Sequence, residues 1–535
     1  MQDVVTFEFP EFPNLKHITM DFRKKLSQLG KQPDLILIIT DEQRATQHFP
    51  PGWEEKHLPT LTFLKKNGFS FDRAFCNTCM CSPSRATLFT GVYPAKHGVS
   101  QTLTEGGLLS PAEPTLSTSL PNLMNVLWAE GYDVQYRGKW HMSKGVAANG
   151  AVTNYDKLTP ADISLFGAMG WVAPDAGEDV NPLNFGGGYA NHDARYIAES
   201  IKYLQGVKAK RAAGIHQPYC LIVSLVNPHD VLAYPQTAGI SGYHSSSWSG
   251  REIRLPDTVN EHLLLNKKPM AQEQILIGMN SLLGPLPTIE QQLDYINFYG
   301  YLLSYVDNEI GHLVKELYLK DEKGSSLADA AIVTFTSDHG EMGLAHGGLR
   351  QKTFVAYEEA LRVPLVISNP VLFSGHHTQQ SMALATLVDI MPTFLELANI
   401  SNPPAGLAGT SLMPVMEHGR PVQDSILFTF DDTKAGSNSQ WSVVRAANRI
   451  RCIRTEKWKF TYYFDASGAY YNQYELYDLV NDPSEYTNLA YNPAYREIRE
   501  DLESQLHKLE VEKLRVRAPQ DAESAQQPQL DSVSA

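Results

Sequence analysis

Residues 34–40 read DLILIIT and run directly into Asp41 and Glu42. Seven residues with no polar face are too few for an ordinary helix. They suit a strand buried on both sides, as in a parallel sheet sandwiched by helices. Three more runs repeat the pattern. YDVQYR (132–137) ends in Gly138, Lys139, Trp140 and His141, and CLIVSLV (220–226) ends in Asn227, Pro228, His229 and Asp230. AIVTFTS (331–337) ends in Asp338, His339, Gly340 and Glu341. Helical periodicity fills the intervals near Thr60–Asn67, Leu120–Glu130, Ala194–Ala212 and Ile289–Leu319. Strands alternating with helices predict βαβ units, hence an α/β fold with a large, mostly parallel sheet between helical layers. In doubly wound sheets ligands bind beyond the carboxyl ends of the strands, so four polar clusters at four such ends are expected to converge.

The chemistry of those ends is specific. Asp41, Glu42, Asp338 and His339 offer hard oxygen donors and one imidazole to a divalent cation, and without one the carboxylates would repel each other. A fifth segment, CSPSRATLFTG (81–91), reads as a short helix with Ser82 as N-cap, Pro83 in the first helical position and Gly91 at the end. Cys81 then lies where a helix N-terminus favours an anion, and Arg85 follows one turn later as a forked oxyanion ligand. A thiol in that place could itself be a nucleophile of lowered pKa. A structural zinc loop at CNTCMC (76–81) is disfavoured, because neither Cys220 nor Cys452 supplies the second pair.

The whole chain has 535 residues, 43% of them hydrophobic, with a net charge of −14, which excludes a disordered chain and a general nucleic-acid binder. No apolar run approaches the roughly 18 residues of a membrane span. The N-terminal MQDVVTFEFPEFPNLKH lacks the basic and apolar regions of a secretory signal, so a cytoplasmic location is expected. The expected organisation is an N-terminal arm (1–33), a catalytic α/β domain (34–435), a small antiparallel sheet plus helix (436–517) and a disordered tail (518–535). Two long excursions, 145–193 and 232–288, are expected to shape specificity together with the C-terminal sheet. NFGGGYANHD (184–193) lacks the Lys and Ser/Thr of a phosphate loop and reads as a flexible turn. His192, His244 and His346 are expected at the surface, and His97 is expected to hold the segment after the Cys81 helix.

Cys81, Pro83, Ser84, Arg85, Phe89, Thr90 and Gly91, with GKWHM (138–142) and SDHGEMG through Lys352, resemble the sulfatase family of the alkaline-phosphatase superfamily. LVDIMPTFLELANI (387–400) and ELYDLVNDPSEYTNL (475–489) extend the likeness, in family order, over about residues 33–490. The resemblance implies hydrolysis of a small-molecule sulfate monoester, aryl or small alkyl. A formylglycine-generating enzyme would convert Cys81 to formylglycine, whose hydrate is the nucleophile. It implies a divalent cation on Asp41, Glu42, modified Cys81, Asp338 and His339: calcium first, with manganese or zinc admitted by the imidazole. Arg85 would fix the hydrate, and Lys139 and Lys352 would bind the sulfate oxygens. His229 would bind the leaving oxygen, with Lys352 as candidate proton donor, and His141 would take a proton from the second hydroxyl. A phosphonate monoester or phosphodiester hydrolase on the same scaffold is the alternative, since many members have Asp at position 42 and Asn at 339.

Overall fold

A computed structural model describes residues 22–514 except 47, 106–108, 148–150, 178, 237–240, 250–251, 375–378 and 438–441. The expected tail (518–535) and most of the expected arm therefore lie outside the described residues; of the arm, Phe22–Gln28 is a helix. The main sheet comprises β1 (Asp34–Asp41), β2 (Gly68–Phe75), β3 (Asp133–Gly138), β4 (Tyr219–Pro228), β5 (Ala331–Ser337), β6 (Arg362–Val363), β7 (Leu365–Ser368) and β8 (Gln379–Thr386). Its order is β3-β4-β1-β5-β7-β2-β6, with β8 beside β2. Strands β3, β4, β1 and β5 are contiguous and parallel, and β7 and β6 run against their neighbours.

The pleat explains the unbroken hydrophobicity of β1. Leu35, Leu37 and Ile39 enter one core cluster, whereas Ile36 and Ile38 enter the cluster on the opposite face. All five are fully buried, worth about 1.5–3 kcal/mol each in transfer free energy. One face is covered by helices His192–Ala212 and Ile289–Tyr318, through residues such as Leu204, Leu302 and Val306. The other is covered by helices Cys81–Thr90, Leu123–Ala129 and Ile390–Leu397, through Leu88, Met124 and Phe394.

A second sheet is an antiparallel meander of β9 (Ser425–Phe430), β10 (Arg449–Thr455), β11 (Trp458–Phe464) and β12 (Gln473–Asp478). Phe428 and Cys452 face the main core; Leu427, Ile453 and Leu476 face the C-terminal helix Arg496–Leu514. The edge strand β9 comes from upstream of residue 435. Among the described residues, no helix is long and apolar enough to cross a membrane.

Three local expectations are corrected. The Cys81 helix starts at Cys81 itself, behind Met80 at φ 72°, and Ser82 does not cap it; its hydroxyl accepts the Leu103 N–H at 3.1 Å. The glycine run is pinned, because Asp230 accepts the N–H groups of Gly186 and Gly187, and a Cβ at Gly186 would lie 2.3 Å from Asp193 Oδ2. His346 is fully buried, stacked 3.6 Å from the Tyr357 ring and bonded to Glu261 at 2.7 Å, whereas His244 is exposed and His192 half-buried. Periodicity could not show that Glu261, from the second excursion, would roof this position.

Candidate active site

Because β3, β4, β1 and β5 are adjacent, their four polar termini form one floor. Thr40 is in register with Ser337, which puts Asp41 beside Asp338, and Gly138 is in register with Ser224. Gly138 sits at φ 100°, and a Cβ there would meet the Ser224 carbonyl oxygen at 1.8 Å. Only glycine allows that approach, which lets Lys139 N–H bond the same oxygen at 2.9 Å. A break in register between Ile39 and Asp41, and Glu42 at φ 72°, turn the end of β1 into the site.

The Cys81 helix delivers its first residue to this floor. Cys81 Sγ lies 3.3 Å from His339 Nε2 and 3.6 Å from Asp41 Oδ1. Arg85, fully buried, ties the floor together. Its Nε donates to Asp338 Oδ2 at 2.9 Å and Nη2 to Asp41 Oδ2 at 3.0 Å. Nη1 donates to Lys139 O at 3.0 Å and Ser224 Oγ at 2.5 Å. Four guanidinium N–H bonds thus hold the strand ends. Lys139 Nζ is 2.5 Å from Asp41 Oδ2 and also donates to Gly177 O, so the first excursion folds over the site. Lys352 Nζ donates to Glu42 Oε2 at 3.2 Å.

His141 is held by a residue that the sequence did not advertise. Asp175 accepts the N–H groups of Trp140 and His141, both at 2.7 Å. His141 Nε2 lies 2.7 Å from Leu103 O. A carbonyl only accepts, so Nε2 carries the proton and Nδ1 is the basic nitrogen. His229 lines the cavity above Cys81, and one of its ring nitrogens is within 4.8 Å of ligand atoms of Asp41 and Glu42.

Electrostatics assign charges. Burial opposes ionisation of Asp41, but Lys139, His229, Arg85 and His339 hold its carboxyl well below the usual range. Burial raises Glu42 to about 8 despite Lys352, and Glu42 Oε1 is a buried oxygen with no hydrogen-bond partner among the described residues. Burial, and then Lys139, hold His141 and His229 well below the ordinary imidazole value, so both are neutral. Burial opposes the charge on Lys352, yet Glu42 and the other anions of the site raise its pKa. The thiol of Cys81 is pushed up to about 12 by burial and then by Asp41. A low-pKa thiolate is therefore overturned: the helix terminus is outweighed by desolvation and neighbouring carboxylates.

The donors suit a divalent cation. Ligand atoms of Asp41, Cys81, Asp338 and His339 lie within 4.8 Å of one another, all buried. His339 Nδ1 is 3.1 Å from the Gly340 carbonyl, which fixes that nitrogen as the donor and turns the Nε2 lone pair toward the carboxylates. The unmatched Glu42 oxygen borders the same place. These residues fit a cation by donor chemistry and by charge.

Above Cys81 opens a cavity of about 190 Å³. Its wall includes Leu232 and Met279 from the second excursion and Lys434 from the β9–β10 connection, but no residue of the first excursion. It also includes Gln101, Thr102 and Thr104, a segment the sequence reading had not singled out.

A mostly parallel sheet between helices, with acids, imidazoles and cations at adjoining strand ends and an antiparallel sheet attached, is the architecture that the family resemblance implies. The chain belongs to the sulfatase family and is a sulfuric ester hydrolase. The family model described as Sulfatase matches residues 33–400, and that described as N-sulphoglucosamine sulphohydrolase, C-terminal, matches residues 346–512. Arylsulfatase K of Mus musculus is 25% identical over 474 residues, covering 88% of this chain and 78% of that protein. Among solved structures, a 2-O GAG sulfatase superposes with a TM-score of 0.67 at 21% identity, covering 93% of this chain and 94% of that one. The phosphonate monoester hydrolase of Agrobacterium radiobacter gives a TM-score of 0.63 at 22% identity, covering 90% of this chain and 96% of that one. Those two likenesses establish the shared fold.

Proposed function

We propose that this enzyme hydrolyses a small organic sulfate monoester, aryl or small alkyl, with Cys81 converted to formylglycine by a formylglycine-generating enzyme. The observation that carries the reading is Cys81 Sγ at 3.3 Å from His339 and 3.6 Å from Asp41, beneath a cavity that also exposes His229 and Lys352. The hydrated aldehyde supplies one hydroxyl to attack sulfur and a second to release the product, which a serine in its place would lack. Asp41, Asp338, His339, Glu42 and the modified Cys81 would hold a divalent cation, which supplies Lewis-acid activation when bound. Calcium is the first expectation, and the imidazole among these ligands admits manganese or zinc.

This chain's own residues do the rest. Arg85 orients Asp41 and Asp338 and, one turn after residue 81, would fix the hydrate. Lys139 and Lys352 neutralise the sulfate oxygens as charge gathers on them. His229 donates a hydrogen bond to the leaving oxygen, and Lys352 supplies the proton when the S–O bond to the alcohol breaks. His141 Nδ1 then takes the proton of the remaining hydroxyl. Its C–O bond to sulfate breaks, sulfate departs and the aldehyde is restored.

The test uses protein co-produced with a formylglycine-generating system. Mass spectrometry of the Cys81 peptide, bound-metal assay and kcat/KM on matched sulfate and phosphonate esters are measured on one sample. An aldehyde at position 81, one divalent cation and preference for sulfate are expected. An unmodified thiol in active protein, or a strong phosphonate preference, would overturn the reading. Chelation should also lower the melting temperature of wild type, and far less that of Asp338→Asn.

A further inference from the structure

Lys352 reaches the site on a hairpin that begins just after His339, and its backbone is far from relaxed. Leu344, His346, Gln351 and Phe354 stand at φ 68°, 52°, 67° and 57°, in the left-handed region that side chains disfavour. Such conformations persist only where the surroundings over-determine them. Met342 N–H donates to Gln351 O and Leu344 N–H to Leu349 O, both at 2.9 Å, which closes the hairpin. The buried Glu341 carboxylate staples its base, accepting the N–H of Gln351 at 2.7 Å and that of Gly343. Tyr295 OH donates to the same carboxylate at 2.6 Å.

Further anchors come from the second excursion. At the tip, His346 N–H donates to Thr258 Oγ1 at 3.0 Å and Gly347 N–H to Thr258 O at 2.9 Å. At the base stands Arg350, buried, two residues before Lys352. Its Nη2 group donates to Gly284 O at 2.7 Å and reaches Asn280 Oδ1 at 3.2 Å and Met279 O at 3.3 Å. All three acceptors are uncharged. They cluster at the carboxyl end of helix Met270–Leu283, where carbonyls lack partners within the helix and a cation is favoured. The guanidinium also lies 5.9 Å from the centroid of the Tyr295 ring, whose hydroxyl holds Glu341. One side chain thus joins the wall that carries Met279 to the segment that carries Lys352, and both residues line the cavity over Cys81.

We propose that Arg350 is a positioning residue for the proton donor: by fixing the base of the hairpin to the second excursion, it holds Lys352 Nζ within reach of the leaving oxygen. This rests on the sulfatase reading above. As the S–O bond to the alcohol breaks, its electron pair stays on the leaving oxygen, which takes a proton from the Lys352 ammonium and leaves a neutral amine. That proton matters little to an alcohol that departs readily as its anion, and much to one that does not. A displaced Lys352 must therefore slow poor leaving groups selectively.

The experiment measures kcat/KM of formylglycine-bearing wild type, Arg350→Met and Arg350→Lys on aryl sulfates whose phenols span about three pKa units. Arg350→Met should lose under about 3-fold on the most acidic phenol and about 10- to 100-fold on the least acidic. Arg350→Lys should recover most of that loss, because it keeps a cation at the helix end. Added to Lys352→Ala, Arg350→Met should cost under about 2-fold more, since the group it positions has gone. Asn280→Ala removes one acceptor from the opposite side and should give the same trend in smaller measure, which is read even where Arg350→Met does not fold. Equal losses along the series, unchanged rates, or full additivity with Lys352→Ala would overturn the proposal and leave the sulfatase reading standing. Wild type that turns over a phosphonate but no sulfate ester would overturn both.

Discussion

Arg85 Nε donates to Asp338 Oδ2 at 2.9 Å, so a helix side chain holds the carboxylate that ends β5. The same guanidinium holds Asp41, at the end of β1, through Nη2. The planar fork serves both acids and two further acceptors in one rigid geometry, which the three donors of an ammonium cannot reproduce. Arg85→Lys should therefore fold but lose cation affinity and most turnover. Arg85→Ala leaves the buried Asp338 without its guanidinium partner and Asp41 with Lys139 alone, which costs about 3–5 kcal/mol in metal-free protein. Urea unfolding and metal titration read these effects; a lysine variant with wild-type turnover would show that the fork is dispensable.

His141 is placed to finish the cycle and not to begin it. Its Nε2–H is committed to Leu103 O, and Asp175 fixes its backbone, so the ring presents Nδ1 as a base in one orientation. In His141→Ala the attack on sulfur should still occur while release fails. A rapid burst of alcohol, about one per enzyme, should precede a steady rate lowered by about 10²–10⁴-fold. Sulfate should then be found covalently held on the Cys81 peptide. Loss of burst and steady state together would assign His141 to the first step.

The strand ends were legible because each apolar run stops abruptly at a polar cluster, and parallel order makes such stops coincide. Asp41, Lys139, His229 and Asp338 were found this way. Asp175 was not, since a lone acid in a Gly- and Pro-rich excursion looks like any turn residue until its two backbone partners are seen. Ser82 and Pro83 followed capping statistics, yet Met80 at φ 72° starts the helix two residues earlier and presents Cys81. Thr102 and Thr353, which line the cavity over Cys81, carry no sequence signal at all, and only packing reveals their place. His346 misled for a related reason: its partners, Glu261 and Tyr357, are distant in the chain.

Lys459 fastens the small sheet to the catalytic body. Fully buried, its Nζ lies 2.8 Å from both Glu358 and Glu485 and donates to Ala356 O at 3.0 Å. Burial opposes the charge on Glu358, but Lys459 and Arg454 hold its pKa down to about 2. Lys459→Met would strand the buried Glu485 and leave Glu358 with Arg454 alone, a cost of about 3–5 kcal/mol. Because Lys434 reaches the cavity from the β9–β10 connection, KM should rise as stability falls. Limited proteolysis should first cut between β9 and β12; a variant as resistant as wild type would refute the fastening role.

His97 should make the protein acid-sensitive in a defined window. Thr87 gives its hydroxyl proton to Pro83 O at 2.8 Å, so it accepts from His97 Nε2–H at 3.0 Å, while Val99 N–H donates to His97 Nδ1 at 3.1 Å. Both nitrogens are satisfied only in the neutral ring, and protonating Nδ1 would oppose it to an N–H. Burial accordingly lowers the folded pKa to about 3. Above the unfolded value of about 6.5 the two states bind protons equally and stability is intact. As pH falls from there toward 3, the unfolded chain takes up a proton that the folded one refuses. Stability is lost at about 1.4 kcal/mol per pH unit, or about 2 kcal/mol by pH 5. His97→Gln should be less stable than wild type at pH 7.5, and this gap should narrow by about 2 kcal/mol at pH 5. Urea unfolding curves at the two pH values measure it, and a gap independent of pH would show that the imidazole is not held neutral.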